Sequence, residues 1–465
     1  MPPDFLEHLG PLLAGEEESF VRSCGLPLPE VLRINRLRGS LEDLHAVLAE
    51  RGADHAPAPF APEALVVPAA EPGRWLEHAL GLFYVQEAVS MLPVQALALS
   101  LCGRRIRRAL DLCAAPGSKT TQLAALMGDE GILLANEPRI DRLMILAANV
   151  LRAGASRTVL AAEDGCRVTD ALPGRFDAVL LDAPCSGEGT VRKDPRALAD
   201  WSVDRLQRLA RVQRDLLAGA MRATAPGGSL IYSTCALSPE ENERVLEEGL
   251  GRAGADFEVL DLGSLFPGAE RCRTAEGYLR ILPHQFDTGG FFVAALRRAG
   301  ELPDDPLDDD RSGSGEDESL GAEARDFATL IEDRYGCGRD RDPFRLRSMP
   351  NGDLWALPRG VAALEARLRL NRPGFRLAER KKQGLVPHHD LALHWGSRFR
   401  RGYLEIPRAA ACRFAIGLDL PLPAEALPDE EILLRHRGLP LGFARPRRGR
   451  LENLIPRAFC RPSLI

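Results

Sequence analysis

The sequence predicts an α/β fold built on a mainly parallel sheet with helices on both faces. Short runs rich in Leu, Ile and Val alternate with helix-like segments between residues 96 and 300. Strands that are apolar on both faces are typical of parallel sheets buried between helices. Three of the runs end in turns that carry thiol, carboxylate or lysine side chains. Ligands of such sheets bind at the carboxyl ends of the strands, so these turns predict one common site.

The elements of this domain follow from hydrophobic periodicity and from helix boundary residues. The predicted strands are Ala109–Cys113, Gly131–Asn136, Thr158–Ala162, Ala178–Asp182 and Ser229–Ser233, with Gly289–Arg298 as a last edge strand. The predicted helices are Thr120–Met127, Arg139–Ala153, Asp204–Thr224 and Glu240–Leu250. Upstream, Val31–Ser40 is predicted as a strand, and Gly81–Pro93 has helical spacing that ends at a proline.

A length of 465 residues predicts two or three domains. We expect an N-terminal RNA-binding extension over 1–95, the α/β domain over 96–300 and a C-terminal RNA-recognition region over 324–465. The intervening residues 301–323 hold ten acidic residues and one arginine, so they predict a flexible linker that cannot bury a core. The final residues 441–465 carry six arginines against one glutamate, which fits either a solvated surface or a nucleic-acid contact.

Composition excludes several classes of protein. The net charge of −6 does not indicate a polyanion partner for the chain as a whole. The opening MPPDFLEHLG lacks the basic and apolar regions of a signal peptide, and no run of about eighteen apolar residues predicts a membrane helix. The ten cysteines include no CxxC pair, so we expect no metal site. Scattered cysteines fit a reducing cytoplasm.

The stretch Ala109–Lys119 (ALDLCAAPGSK) predicts a nucleoside site. Small residues around Gly117 let the backbone approach a ligand, and the helix that follows offers free N–H groups. Glu137 lies twenty residues further on, where an acid bonds ribose hydroxyls in dinucleotide-binding sheets. Asp164 follows the third strand, where a carboxylate could meet an adenine amine. For the glycine turn alone, an ordinary strand–helix turn remains the alternative.

The same stretch is not a phosphate-binding P-loop. That motif requires GxxxxGK[ST], whereas position 112 is Leu and Ser118 separates Gly117 from Lys119. A nucleoside without a phosphate tail therefore fits best, and S-adenosylmethionine is such a ligand.

Two cysteines follow strand-like runs, and both are candidates for chemistry. Cys185 lies in the turn PCSG, and Cys235 ends the run GGSLIYSTC. A cysteine at a strand end is usually a small core residue, but core packing is thin in a turn. Asp182, just before Cys185, would be costly to bury without a polar partner. Cations favour a thiolate, and the candidates are Lys119, Arg192 and Lys193.

The two thiols suit methyl transfer to cytosine. Carbon-5 of cytosine is a poor nucleophile, but a thiolate that adds at carbon-6 makes carbon-5 enamine-like. A carboxylate near N3 and N4 would stabilise the adduct, and a base must then remove the carbon-5 proton. A nucleoside site beside two thiols therefore predicts a transferase with a covalent cysteine step.

Several sequence blocks together resemble the Sun/Nop family of RNA cytosine-5 methyltransferases. The blocks are DLCAAPGSKT, NEP, DAPCSGEGT, PGGSLIYSTC, PEENE and RILPHQFDTGGFFVA, and they cover residues 31–298. The resemblance implies a Rossmann-like sheet that uses S-adenosylmethionine. The segments 84–93 and 438–461 are similar to the branch that modifies bacterial small-subunit (16S) rRNA. That branch implies a C-terminal α+β RNA-binding region whose end, from about residue 400 to 465, is PUA-like.

The family also implies a role for each matching residue. Cys235 would be the nucleophile, Cys185 would assist product release, and Asp182 would contact the base. The residues implied to hold S-adenosylmethionine are Cys113, Ala114, Ala115, Pro116, Gly117, Ser118, Lys119, Glu137, Asp164 and Asp182. The implied partner is rRNA, in the small ribosomal subunit, for a monomeric cytoplasmic protein without metal or membrane contact.

Three alternatives remain at this point. A tRNA cytosine-5 methyltransferase of the same family would share every motif. A DNA cytosine-5 methyltransferase would use the PC-type cysteine as nucleophile and lack the second thiol block. A non-catalytic RNA-binding assembly factor could keep the fold. The chain also departs from the usual family pattern in its basic segment RINRLRGS and its acidic linker.

Overall fold

A computed structural model of the chain describes residues 1–68, 71–128, 130–253, 256–303, 321–337, 344–382, 384–423, 430–461 and 464. Most of the predicted linker, residues 304–320, therefore lies outside the described residues. Its last two positions belong to a helix that begins at Ala322. No helix within these ranges is long and apolar enough to cross a membrane.

The first part of the chain forms a small antiparallel sheet with flanking helices. Its elements are α1 (Pro3–Leu13), α2 (Glu17–Cys24), β1 (Glu30–Ile34), α3 (Leu41–Glu50), β2 (Ala56–Ala58), β3 (Ala61–Val67), α4 (Leu76–Ala79), β4 (Phe83–Val85) and α5 (Leu92–Leu101). The strand order is β2-β3-β1-β4. The predicted strand Val31–Ser40 is confirmed only as far as Ile34, where β1 ends and a turn begins. Ser40, the last residue of the predicted strand, instead caps α3 through a capping box with Asp43.

The central part contains the sheet that carries the site. Its elements are β5 (Arg108–Asp111), α6 (Ser118–Met127), β6 (Ile132–Asn136), α7 (Ile140–Ala153), β7 (Thr158–Ala161), α8 (Gly165–Ala171), β8 (Phe176–Asp182), α9 (Val203–Ala223), β9 (Thr224–Thr234), α10 (Glu243–Ala253), β10 (Phe257–Leu260), β11 (Leu279–Ile281), α11 (Pro283–Phe286) and β12 (Phe291–Arg298). The strands β9, β8, β5, β6 and β7 are neighbours in that order and run parallel.

Successive residues of these strands pack into cores on opposite faces of the sheet. Leu133 and Leu180 belong to one core, whereas Leu134 and Leu181 belong to the other. Burial on both faces explains the continuous apolar runs that predict the parallel strands, and all five predicted strands are confirmed. The predicted helices are confirmed as well, with ends shifted by up to three residues, while α8 was not predicted.

Two sequence predictions are wrong. The segment Gly81–Pro93 is not one helix: β4 pairs with β1, and Pro93 lies in the first turn of α5, where proline is tolerated. Gly81 has a φ of +78°, and a Cβ there would lie 2.1 Å from the carbonyl oxygen of Arg152. The segment Gly289–Arg298 forms β12, which is not an edge strand because β10 and β11 pair with it on the side away from β9.

The C-terminal part contributes two further sheets and one strand of the central sheet. Its elements are α12 (Ala322–Tyr335), β13 (Phe344–Ser348), β14 (Leu354–Pro358), α13 (Val361–Glu365), β15 (Leu370–Arg372), β16 (Phe375–Lys381), β17 (Gly384–Pro387), α14 (His389–Trp395), β18 (Tyr403–Glu405), α15 (Arg408–Ala415), β19 (Leu420–Pro421), β20 (Ile432–His436), β21 (Leu439–Arg447) and β22 (Arg450–Asn453). The orders are β13-β14-β16-β17 and β18-β20-β21-β22-β19.

This C-terminal part is joined closely to the rest of the chain. The strand β15 pairs antiparallel with β7, so it extends the central sheet. A shared core contains Leu32 and Ile34 of β1 together with Phe414 of α15 and Leu434 of β20. The division near residues 95 and 300 stays a prediction, and the sheet itself crosses the second boundary.

Candidate active site

The two predicted thiols lie side by side at the carboxyl ends of neighbouring strands. Asp182, the last residue of β8, pairs with Ser233 near the end of β9. Cys185 and Cys235 follow these residues closely, and their sulfur atoms are 3.1 Å apart. The parallel register of the two strands therefore brings together two cysteines that are fifty residues apart in sequence.

The hydrogen bond with Cys235 and then burial raise the pKa of Cys185 well above the usual value. Cys185 is therefore a protonated thiol at neutral pH, and its S–H can donate to the sulfur of Cys235. The two thiols therefore lie in direct hydrogen-bond contact at the carboxyl edge of the sheet.

A buried carboxylate, that of Glu188, holds the two thiol loops together. Glu188 is fully buried. It accepts hydrogen bonds from the backbone N–H groups of Leu237 and Ser238, both at 2.8 Å, from Ser238 Oγ at 2.7 Å and from Trp201 Nε1 at 2.7 Å. A buried carboxylate is tolerated only when it is hydrogen-bonded, and these four donors supply that need. Glu188 thus fixes the Cys185 loop relative to the segment after Cys235.

A second carboxylate, that of Glu241, ties the same loops from the other side. It accepts from the backbone N–H of Ser186 at 3.0 Å and from Gln213 Nε2 at 2.7 Å. Gln213 Nε2 also donates to the carbonyl oxygen of Pro184 at 2.9 Å. Burial raises the pKa of Glu241. Both residues that flank Cys185 are therefore held in place: Pro184 accepts a hydrogen bond from α9, and Ser186 donates one to the segment after β9.

Glycines let the backbones of these loops meet directly. The N–H of Gly189 donates to the carbonyl oxygen of Cys235, and the N–H of Gly290 donates to that of Gly189, each at 2.8 Å. A Cβ on Gly189 would lie 2.1 Å from the carbonyl oxygen of Gly290. Only glycine fits this close approach between the Cys185 loop and the start of β12.

A lysine and an aspartate form a charged pair beside the thiols. Lys119 Nζ lies 2.8 Å from Asp182 Oδ2, and Ser233 Oγ donates to Asp182 Oδ1 at 2.8 Å. Burial lowers the pKa of Lys119, but the charge and hydrogen bond of Asp182, with a smaller contribution from Cys235, raise it above its ordinary value. Lys119 is therefore charged at neutral pH and lies near the Cys235 thiol.

The other two candidate cations, Arg192 and Lys193, have different environments. Arg192 is buried and donates to the carbonyl oxygens of Leu26 and Thr288, at 3.1 and 3.0 Å, and to Asp287 Oδ1 at 2.7 Å. It fastens the N-terminal segment to the loop before β12. Lys193 is exposed.

The predicted nucleoside residues follow successive strands along the same sheet edge. Asp182 ends β8, residues 113–119 follow β5, Glu137 follows β6 and Asp164 follows β7. Because these strands are neighbours in this order, the predicted residues form a row that begins beside the thiols. The grouping of Cys113, Ala114, Ala115, Pro116, Gly117, Ser118, Lys119, Glu137, Asp164 and Asp182 along one edge is thus present in the structure.

The turn after β5 packs tightly against its neighbours. Ala114 N donates to the carbonyl oxygen of Asn136 at 2.9 Å, which ties the turn to the end of β6. Gly117 is the N-cap residue of α6 and has a φ of +107°, and a Cβ there would lie 2.9 Å from Leu146 Cδ1. The local fold therefore requires glycine at this position and leaves the N-terminus of α6 at the sheet edge.

The acidic residues of the row differ in their environments. Glu137 is 2% exposed, accepts from the N–H of Arg139 at 3.1 Å and forms an ion pair with Arg142 at 3.1 Å. A carboxylate has about four acceptor sites, so these contacts leave capacity for ribose hydroxyls. Asp164 is exposed and caps α8 by accepting from Cys166 N at 2.9 Å and Arg167 N at 3.3 Å.

Sequence reasoning missed several residues that shape the site. Besides Glu188, Glu241 and Gln213, it missed a role for Asp111, which ends β5 and accepts from Thr120 Oγ1 at 2.7 Å. Burial raises the pKa of Asp111 to about 7. Glu188 and Glu241 stand inside the blocks GEGT and PEENE, so those blocks were the available signal. Within the described ranges, no group of three His, Cys, Asp or Glu could hold a metal ion.

Comparison with known proteins agrees with this geometry. Residues 98–297 match a family model described as 16S rRNA methyltransferase RsmB/F, and residues 1–88 match the N-terminal domain of 16S rRNA methyltransferase RsmF. The ribosomal RNA small subunit methyltransferase F of Aeromonas salmonicida is 38% identical over 100% of this chain and 98% of its own length. Its counterpart in Serratia proteamaculans is 35% identical with the same coverage of both chains.

A solved structure shows the same fold. The methyltransferase homolog protein from Pyrococcus horikoshii is 29% identical, with a TM-score of 0.53 over 64% of this chain and 100% of its own. The match of both family models and of relatives along the full chain leads to one conclusion: the chain belongs to the RsmB/F family of 16S rRNA methyltransferases.

Proposed function

We propose that this protein transfers a methyl group from S-adenosylmethionine to carbon-5 of a cytidine in small-subunit rRNA. The proposal includes a covalent bond between Cys235 and carbon-6 of the base, with Cys185 assisting its breakdown. The observation that carries it is the contact of the two sulfur atoms at 3.1 Å beside the Lys119–Asp182 pair. Family membership supports the choice of rRNA and of S-adenosylmethionine as methyl donor.

The row of acidic residues fits that donor. Its adenine amine, ribose hydroxyls and ammonium group are hydrogen-bond donors, and Asp164, Glu137 and Asp182 supply carboxylate acceptors in a row. Gly117 and the start of α6 let the backbone approach the ligand closely. When bound, S-adenosylmethionine would supply an activated methyl group at the end of the row nearest the thiols.

The protein's own residues would act on the base in a defined order. Cys235 Sγ forms a bond to carbon-6, and the displaced electron pair enriches carbon-5, which then takes the methyl group. Asp182 would contact the base at N3 and N4, as the family resemblance implies. Loss of the carbon-5 proton to a base, assisted by Cys185, allows the carbon-6–sulfur bond to break and restores the Cys235 thiolate.

The family match disfavours the DNA-type alternative, in which Cys185 attacks, because both family models that match this chain describe rRNA methyltransferases. A non-catalytic assembly factor would have no need for the buried clamp that Glu188 forms around both thiols. A tRNA substrate is disfavoured only by the names of the full-length relatives, so it must be tested directly.

The C-terminal region would contribute RNA affinity, with a PUA-like unit over about residues 400–465. Its support is the mixed sheet from β18 to β22. The arginines of the tail give weaker support than the sequence indicates, because Arg445 pairs with Glu431, and Arg450 pairs with Asp419 at 3.1 Å. We also propose that the protein acts as a monomer in the cytoplasm, since one chain supplies every residue of the row and both cysteines are free thiols.

The direct test is identification of the product. Purified protein, labelled S-adenosylmethionine and small-subunit rRNA should yield 5-methylcytidine on nucleoside mass spectrometry, whereas bulk tRNA should remain unmodified. Label in another nucleoside would contradict the carbon-5 assignment. Label in tRNA alone would favour the tRNA alternative, and no label in either RNA would favour an assembly factor.

A further inference from the structure

A cleft of about 310 Å³ opens at the opposite edge of the central sheet from the thiols. It is lined by the C-terminal ends of α6 and α7, the starts of β6 and β7, the turn after β1 and the residues around the end of α14. Its charged and titratable lining residues are Arg36, Arg38, Glu130, Arg157, His394 and Arg398. The cleft therefore lies apart from the row of cofactor residues.

The cleft is positively charged. Glu130 is the acidic residue among its lining side chains, and this carboxylate is already paired with Arg105, which does not line the cleft. Arg36, in contrast, is exposed at the rim. An anion that enters would thus meet the guanidinium groups of Arg36 and Arg38, while the charge of Glu130 is largely neutralised by Arg105.

Arg38 has a fixed position and keeps its charge. It donates to the carbonyl oxygens of Leu393 and Arg152, which are neutral acceptors. Burial lowers its pKa to about 10, so the guanidinium is still protonated at neutral pH. A Cβ on Gly154 would lie 2.7 Å from Arg38 Cζ, so the group lies flat against the backbone at the end of α7.

The three parts of the chain meet in this cleft. Arg38 comes from the turn after β1, Arg157 from the start of β7, and His394 from α14. Arg157 lies 5.4 Å from the centroid of the Phe344 ring. His394 is 7% exposed, and burial lowers the pKa of its imidazole to about 3, so it lines the cleft as a neutral ring.

We propose that this cleft binds a backbone phosphate of the RNA substrate, far from the cytidine that reacts. The inference rests on the proposed function for the identity of the RNA. Guanidinium groups match phosphate geometry through paired N–H donors, and phosphate contacts supply most of the sequence-independent affinity for nucleic acid. Because the cleft faces away from the thiols, the RNA must pass around the sheet, so a large folded RNA gains more from it than a short one.

Two variants at the cleft and one matched control test the inference. Arg36→Gln removes the exposed charge at the cleft, and Arg36→Glu reverses it. Arg22→Gln removes a charge from the exposed Arg22–Glu18 pair on α2. The measurement is the dissociation constant for small-subunit rRNA without cofactor, from 50 to 200 mM salt, followed by KM and kcat.

Each cleft variant should bind roughly three- to tenfold more weakly than the control, with a salt slope smaller by about one. KM for RNA should rise, while kcat at saturating RNA and the affinity for S-adenosylmethionine stay unchanged. Equal affinity and salt slope in the cleft variants and the control would overturn the inference. So would binding of inorganic phosphate that Arg36→Gln abolishes while RNA affinity is unchanged, because the cleft would then be a small-anion site.

The binding measurement does not depend on methyl transfer. A protein that binds rRNA through the cleft but makes no 5-methylcytidine would contradict the proposed function and leave the cleft supported. A protein that makes 5-methylcytidine, but whose RNA binding is unchanged in both cleft variants, would support the proposed function and contradict the role of the cleft.

Discussion

The carboxylate of Glu188 and residue Ser238 are joined twice, by Ser238 N at 2.8 Å and by Ser238 Oγ at 2.7 Å. Glu188 lies three residues after Cys185, and Ser238 lies three residues after Cys235. The pair therefore sets the distance between two loops whose cysteines act on the same base in the proposed mechanism. Its buried position makes it a positioning element, because neither residue needs to touch the substrate.

Glu188→Gln should lower kcat while S-adenosylmethionine affinity stays unchanged. An amide has one acceptor oxygen where the carboxylate has two, so at least one of the four buried donors loses its partner. We expect a loss of stability of about 1–3 kcal/mol and a decrease in kcat of roughly tenfold or more. The matched control is Glu247→Gln at an exposed position of α10. A kcat equal to that of the control would show that the clamp has no part in positioning the thiols.

Glu137→Gln should weaken the binding of S-adenosylmethionine. The amide can still accept from Arg139 N, but it loses the charge that strengthens hydrogen bonds from ribose hydroxyls, which are worth about 1.5–3 kcal/mol to a charged group. We expect roughly tenfold weaker binding or more by calorimetry. Asp141→Asn, at an exposed position on α7, is the control. Equal affinity of the two variants would remove Glu137 from the cofactor site.

Gly189→Ala should destabilise the loop that carries Cys185. The new Cβ would lie 2.1 Å from the carbonyl oxygen of Gly290, so one of the two backbones must move. Overpacking of this kind costs about 1–3 kcal/mol, and the shift should reduce methyl transfer more than cofactor binding. Gly251→Ala, whose Cβ would enter open space within α10, should instead stabilise the protein by about 0.5–1 kcal/mol. Similar denaturant midpoints for both variants would contradict the close approach.

Asp111 should make stability fall as pH rises from 4 to 7. Burial raises its folded pKa to about 7, above the ordinary value of 3.8, so the folded state favours the protonated form. This contribution is fully present below pH 3.8 and is lost as pH rises through 7. Asp111→Asn lacks this pH-dependent contribution. Its free energy of unfolding, relative to that of the parent, should therefore rise by at most about 4 kcal/mol across this range. Urea unfolding at several pH values measures the difference, and a difference that is constant with pH would contradict the assignment.

The central strands could be predicted from sequence because their burial on both faces leaves a continuous apolar run. The elements that were predicted wrongly depend on tertiary contacts, which local sequence does not show. The segment 81–93 has helical spacing, but Gly81 must approach the backbone of Arg152, and β4 finds a partner in β1. The strand β12 looked like an edge because its neighbour β10 is only partly buried and has no continuous apolar pattern. The pairing of β15 with β7 joins residues too distant in sequence for any local pattern to indicate.

The candidate site also contains residues that could be predicted from sequence and residues that could not. Asp182 ends a strand, and Cys185, Cys235, Glu137 and Asp164 each follow one, so the rule that parallel strands share a carboxyl edge was enough to group them. The clamp could not be predicted, because one sequence does not show that a glutamate is buried beside four donors. The prediction that Arg192 lies beside the thiols was wrong for a related reason. The fold buries this side chain among backbone carbonyl oxygens, and one sequence does not show that.

The covalent step is tested most directly by a denaturing gel of protein incubated with small-subunit rRNA and S-adenosylmethionine. If Cys235 attacks and Cys185 assists release, Cys185→Ala should accumulate as a slow-migrating protein–RNA adduct, because formation and breakdown of the intermediate are separate steps. Cys235→Ala should form no adduct and no 5-methylcytidine. An adduct that persists in Cys235→Ala and disappears in Cys185→Ala would reverse the two roles and contradict the account.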